Sequence, residues 1–211
     1  MVPDVNRKRP YSSPRHAEMR ARTRRDILAA AKRLFSERGY GSTTIDAIAG
    51  DAGVAVQTVY AAFGNKRAIV WELLETTLVG DEDPRSLIDR LTVDLEGVAS
   101  TAERQARAAR YIRQVVERTA GIHRMMRDAA AVDPEIAEAL DEIEARRYED
   151  ARSIIDLVAP AQTTADRRRR AADVLFAIGS YEVYDLLVGA RTWPATRWER
   201  WFLRTVIPEL A

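Results

Sequence analysis

Residues 42–63 read Ser-Thr-Thr-Ile-Asp-Ala-Ile-Ala-Gly-Asp-Ala-Gly-Val-Ala-Val-Gln-Thr-Val-Tyr-Ala-Ala-Phe. Ser42, Thr43 and Thr44 are helix-capping residues, and Thr43 with Asp46 three positions on forms a shortened capping box. A short helix through Ile45, Ile48 and Ala49 ends at Ala52, where Gly53 supplies the positive φ of a tight turn. A second short helix, about Val56–Phe63, follows. Two short helices joined by a three-residue turn with glycine form a helix-turn-helix. Ala49 and Ala52 are small where the helices must cross, Val54 fills the corner, and Val59 with Phe63 holds the second helix to the first. Val56, Gln57, Thr58, Tyr60 and Ala61 are left near the start and outer side of the second helix, which can enter a major groove. An ordinary helical hairpin is the alternative, but it leaves the basic segment just before it unexplained.

Working outward, charge divides the chain. Residues 1–70 carry 13 basic and 6 acidic side chains, while residues 71–211 carry 20 and 26, in a chain of 211 residues whose net charge is +1. A basic head on an acidic body points to a polyanion-binding segment joined to something else. Residues 1–14, with three prolines and Arg7-Lys8-Arg9, read as a disordered basic arm. From about Arg15 to Arg38, Ile27, Leu28, Ala31, Leu34 and Phe35 repeat at helical spacing, and Gly39 closes that helix. A fourth helix opens at Lys66. The longest stretch without a charge, Ala52–Asn65, is fourteen residues. That is too short for a bilayer span, which needs about twenty. With no apolar run behind the N-terminal arginines either, the expectation is a cytoplasmic protein without membrane partners.

The run Gly39-Tyr40-Gly41-Ser42-Thr43-Thr44-Ile45-Asp46-Ala47-Ile48-Ala49, then Ala52-Gly53-Val54, Thr58-Val59-Tyr60, Phe63 and Lys66, resembles the DNA-binding domain of the tetracycline-repressor (TetR) family. The resemblance covers about Arg22–Leu74 and implies a homodimeric transcriptional regulator, usually a repressor released from its operator by a small ligand. It also implies that Thr44 caps the second helix against a DNA phosphate, with Thr43 beside it. Thr58 and Tyr60 match recognition-helix contacts, and Lys66 matches a phosphate-contacting lysine aided by the helix dipole. One departure matters: where the family often has a Ser-Lys-Gly-like trio, this chain has Ala55-Val56-Gln57. The recognition helix therefore lacks any Lys or Arg. Gln57 can read an adenine edge, and Val56 or Ala61 can pack on a thymine methyl. Electrostatic affinity must then come from the arm and first helix, Arg22 among them.

The rest of the chain is expected to be helical too, giving an all-α protein of nine or ten helices. The expected divisions are arm 1–14, helix-turn-helix domain 15–66, and a larger helical effector-binding and dimerisation domain 67–211. A helix restarts at Pro84, Gly121 kinks or divides a long segment, Asp133-Pro134 opens another helix, and one capped by Thr163 or Thr164 reaches Gly189. Along it, Ala172, Leu175, Phe176, Gly179, Val183 and Leu186 form an apolar stripe. The last helix, opened by Trp193-Pro194, adds Trp198, Trp201 and Phe202. An intramolecular core can use both stripes, but a dimer is what reads a two-fold operator, and by resemblance these helices form its four-helix interface. Trp71, Tyr111, His123, Met126, Tyr148 and Phe176 are candidates to line an effector cavity, since pockets are mostly apolar with few polar groups.

Catalysis has little material. With no cysteine and two histidines, thiolate chemistry and most metal sites are excluded, and no Gly-rich phosphate loop is present. Asp133, Glu135, Glu138, Asp141, Glu142 and Glu144 read as the wet face of a helix paired with Arg146 and Arg147. Arg167–Arg170 reads as a solvated helix start. No cofactor or metal is expected, and the partners are double-stranded DNA, a second copy, and an unknown small molecule. The alternative is an architectural DNA binder, or a regulator, without small-molecule control.

Overall fold

The computed structural model describes residues 14–79 and 85–210, so all but Pro14 of the arm expected at 1–14, and the helix restart at Pro84, lie outside the described residues; Pro14 itself opens the first helix. No strand occurs among the described residues. The first four helices are α1 (Pro14–Arg38), α2 (Ile45–Ala52), α3 (Val56–Phe63) and α4 (Lys66–Val79). Gly39 at φ 76° and Gly53 at φ 67° take the left-handed conformations their positions require. The cap of α2 is Thr44, whose Oγ1 accepts from the Ala47 amide at 3.1 Å, not the Thr43–Asp46 pair. Thr43 turns inward instead: its hydroxyl proton points at the carbonyls that end α1, Gly39 O at 2.8 Å and, more weakly, Leu34 O at 3.3 Å.

The larger half holds α5 (Leu87–Asp94), α6 (Thr101–Ala130), α7 (Pro134–Val158), α8 (Ala165–Ile178), α9 (Tyr181–Tyr184) and α10 (Ala195–Val206). A π-helical turn, Asp185–Ala190, follows α9, and a 3-10 turn, Ile207–Leu210, ends the described chain. Gly121 does not divide α6, which runs thirty residues without a break. One isolated, exposed glycine costs a long packed helix only about 1 kcal/mol.

Two apolar cores form. The first joins α1–α4 to Ile122, Met125, Met126 and Ala129 of α6 and Ile136 of α7, so it continues past residue 66 and into the larger half. The second joins α5 and the first part of α6 to α7–α10.

The C-terminal stripes depart from expectation. The helix capped by Thr164 stops at Ile178 rather than Gly189, because Ser180 caps a new turn with its hydroxyl accepting from the Val183 amide at 3.2 Å. The stripe from Ala172 to Leu186 therefore does not lie on one helix. Ala172, Leu175, Trp198 and Phe202 are buried in the second core of the same chain, which already covers them. Gly179 is buried with them. A Cβ there would lie 2.6 Å from Leu175 O and 3.2 Å from the Phe202 ring, so α10 approaches α8 where there is no side chain. Trp198 stacks on Phe202 at 5.1 Å and meets Tyr184 edge-on at 5.3 Å. Of the expected interface residues, Phe176, Val183 and Trp201 are half-buried and Leu186 is exposed. The arginine run is not wholly solvated either. Arg168 is half-buried and donates to Thr163 O at 3.2 Å and Pro160 O at 3.3 Å, closing the α7–α8 turn.

Candidate nucleic-acid interface and effector cavity

In α3 the local pattern sorts itself cleanly. Val59 and Phe63 are buried, while Gln57, Tyr60, Ala61 and Gly64 are exposed. The first three fall at i, i+3 and i+4, a single helix face, and Gly64 ends the helix just beyond them. Val56 and Thr58 are half-buried, and Val56 packs against the first core, which limits its reach toward a base. The inner side of α3 is fixed by Arg24 of α1. Its guanidinium sits 4.2 Å over the Phe63 ring, donates to Ala62 O and pairs with Glu72 of α4. That hydrogen bond with Glu72 is the chief reason the Arg24 guanidinium is held above its ordinary value, against a smaller opposing effect of burial. Arg33 pairs with Asp51 and ties α1 to α2 in the same way. Arg22 is exposed, 4.0 Å from Asp26.

Two residues expected at the DNA surface have inward duties. Thr43 is buried with both hydroxyl contacts inside the chain, so it presents nothing to a phosphate. Lys66 directs its ammonium into the turn before α2, donating to Tyr40 O at 2.8 Å and Thr43 O at 2.9 Å from 4.0 Å over the Tyr40 ring. Burial lowers its pKa, with the Asp133 carboxylate acting the other way. Lysine suits both tasks because an ammonium has three donors, and two are used here. Thr44, by contrast, is exposed at the head of α2.

A cavity of about 330 Å³ opens between α4, α5, α7 and α9. Its apolar walls are Trp71, Leu74, Leu87, Ile143 and Tyr181; Glu75, Arg90, Glu142, Arg146, Arg147 and Asp150 supply charge. Arg147 is already engaged: it pairs with Glu144, donates to Phe176 O at 3.0 Å and faces the Phe176 and Tyr181 rings. Asp150 is half-buried, and that burial raises its carboxyl above the ordinary value against the pull of Arg146 and Arg147.

Of the six residues expected to line a cavity, the structure brings Trp71 there. Tyr111 lines a different cleft, of about 370 Å³ beside α5 and α6, and its hydroxyl donates to Leu87 O at 3.0 Å. Met126 is fully buried in the first core, where a flexible thioether fills the join between the two halves. Tyr148 and Phe176 meet edge-on at 5.5 Å between α7 and α8, with the Tyr148 hydroxyl donating to Asp173 at 2.9 Å. Tyr181 was not foreseen. It sits in a short turn whose only sequence signal is the Ser180 cap.

His123 faces a separate open cleft of about 600 Å³ and stacks on Tyr181 at 4.1 Å. Its Nε2 lies 3.1 Å from Glu144 and its Nδ1 3.8 Å from Glu182. The three side chains are close enough together to suggest a cation site. The geometry opposes one. An imidazole gives a metal a single nitrogen, and here the two carboxylates address different nitrogens. Each carboxylate also carries a guanidinium, Arg147 on Glu144 and Arg127 on Glu182 at 2.8 Å. The group knits α6, α7 and α9 together behind the cavity.

The fold and these two features define a class: a two-part helical protein with an N-terminal helix-turn-helix and a helical body enclosing a cavity. Comparison with known proteins agrees. The family described as bacterial regulatory proteins, tetR family, matches residues 27–73. The HTH-type transcriptional regulator HbdR of Aromatoleum sp. (strain CIB) is 41% identical over 75 residues, which is 35% of this chain and 32% of that protein. The match thus spans about a third of the length of this curated relative. Among solved structures, NalD, the secondary repressor of the MexAB-OprM multidrug efflux pump in Pseudomonas aeruginosa, superposes with a TM-score of 0.68 at 22% identity, over 92% of this chain and 98% of that one. A TetR-family transcriptional regulator from Mesorhizobium loti gives 0.64 at 24% identity, over 90% and 96%. These two likenesses concern the fold. Residues 27–73 thus carry the DNA-binding domain described for the tetR family of bacterial regulatory proteins. No helix among the described residues is long and apolar enough to cross a membrane.

Proposed function

We propose that this protein is a homodimeric, sequence-specific DNA-binding transcriptional repressor whose grip on a palindromic operator is released by a small molecule entering the cavity between α4, α5 and α7. One observation carries the reading. The outer face of α3 is exposed and almost free of internal duties, while α4, the next helix, leads directly from the helix-turn-helix into the cavity wall. Gln57, Tyr60 and Ala61 read base edges, with Thr58 and Thr44 at the backbone. Since α3 has no cationic side chain, phosphate attraction falls to α1 (Arg22 and Arg25) and to the basic residues before it. Val174 and Ile178 of α8 and Trp201 of α10 keep part of their surface outside and form the contact with a second copy. Repression as the sign of control follows NalD, whose name describes it as a repressor.

The test is selection of duplexes from a random pool by the full chain. Enrichment of a two-fold site, followed by its release when compounds that raise the melting temperature are added, supports the reading. Failure to enrich any duplex overturns it. Tight DNA binding with no compound affecting either property replaces it with a DNA-binding protein lacking small-molecule control.

A further inference from the structure

We propose that Asp133, at the head of α7, and Tyr40, in the turn before α2, are positioning residues that join the cavity wall to the helix-turn-helix. Asp133 occupies the N-cap position of α7, where an aspartate ordinarily accepts a hydrogen bond from the first turn of its own helix. It does not do so here. Its carboxylate turns across to the N-terminal half, where Oδ2 accepts from the Tyr40 hydroxyl at 3.0 Å and lies 3.6 Å from Arg67 Nε of α4. Arg67 also pairs with Glu135, in the first turn of α7. The Tyr40 ring is buried 5.5 Å from Phe35. Burial first, and then the bond to Asp133, hold its phenol far above the ordinary range, so it stays a donor.

From the other side, Lys66 at the head of α4 grips Tyr40 O and Thr43 O. The turn 40–44, which ends in the cap of α2, is thus clamped between the first residues of α4 and α7. The same two helices wall the cavity: Trp71 and Leu74 on α4, Ile143 and Asp150 on α7. At 1.5 Å of rise per residue, Ile143 lies roughly 15 Å along an unbroken helix from Asp133. A packed helix moves as a rod, so a shift of α7 at the cavity is delivered to Tyr40, and through the clamped turn to α2 and α3. Hydrogen bonds to a charged group, as here, are the strong ones. The purpose of this joint rests on the function proposed above; the joint itself does not.

Hydrogen exchange of the full chain, read by mass spectrometry, tests it in two arms. Asp133→Asn keeps a good N-cap residue but removes the charge, and Tyr40→Phe keeps the ring but removes the donor. In the first arm, without DNA, Asp133→Asn is expected to speed exchange in residues 45–63 at least about tenfold, and Tyr40→Phe to do the same at residues 134–140. Glu138→Gln, exposed one turn further along α7, should change neither segment. Acceleration confined to the substituted half overturns the proposal, as does a uniform acceleration that includes α8 and α10, which signals general loss of stability. In the second arm, a duplex from the selection slows exchange at residues 134–140 at least about threefold in the wild type and not in Tyr40→Phe, because coupling between sites is reciprocal. No slowing in the wild type overturns the proposal. If no duplex is recovered, the functional reading fails while the first arm still decides the joint.

Discussion

Phe63 in the helix-turn-helix and Phe202 in α10 are both buried aromatics on amphipathic helices, yet they differ in how far away their partners lie along the chain. Phe63 packs under Arg24 and beside Val59, within about forty residues, although its core reaches on to Ile122 and Ile136. Phe202 meets Gly179 and Trp198 locally, but its core also draws on Ala108 and Ile112 of α6, some ninety residues earlier. A short motif with a fixed turn names its own neighbours. A long apolar stripe shows only that it will be covered, either by the same chain or by another copy. The predicted interface residues Ala172, Leu175, Gly179, Trp198 and Phe202 are covered by the same chain.

The largest test of that contrast is Trp198→Ala. A core role makes it cost about 3–5 kcal/mol of folding stability, a fall in melting temperature on the order of 10 °C by circular dichroism. An interface role instead gives a folded monomer with little thermal change, and ultracentrifugation separates the two. Gly179→Ala comes next. Its new Cβ must displace the Phe202 ring or the Leu175 carbonyl, for roughly 1–3 kcal/mol; unaltered denaturant midpoints would mean that α8 and α10 are not so closely packed.

On the N-terminal side, Tyr60→Ala should leave melting unchanged, since Tyr60 is half-exposed, and weaken binding to the selected duplex by about 1–3 kcal/mol. Filter binding at fixed salt reads this, and a loss of melting temperature would place Tyr60 in the core instead. The smallest effect concerns Asp150. Burial lifts its folded-state pKa above the unfolded value, so the folded chain holds a proton that the unfolded chain has already lost. Stability then falls as pH rises through that interval, and the deficit persists at neutral pH. Asp150→Asn should raise melting at pH 7 by about 1–2 °C, with the gain vanishing in acid; an equal gain at all pH values would point to packing.

The helix-turn-helix was legible because its determinants are local: Gly53 for the turn, small residues at the crossing, and an apolar face three and four residues apart. Thr43 and Lys66 were less so. A threonine beside a helix start and a lysine at a helix head look the same in sequence whether they face a phosphate or an inward carbonyl. Only the path of the turn at 40–44 decides which they do. The cavity was legible least. Trp71 lies beside the motif; Tyr181 is set by a serine-capped turn nearly sixty residues beyond His123, on which it stacks, and Met126 reads as apolar whether it lines a space or fills one.

One consequence follows from α6. At thirty residues it is about 45 Å long. Its far end supplies Ile122, Met125 and Met126 to the core under the helix-turn-helix, where Ile136 joins them. A fragment ending at Val79 would bare the apolar patch that these residues cover. Transplanting this helix-turn-helix onto a foreign body would therefore require grafting those four positions with it, and Ala129 beside them.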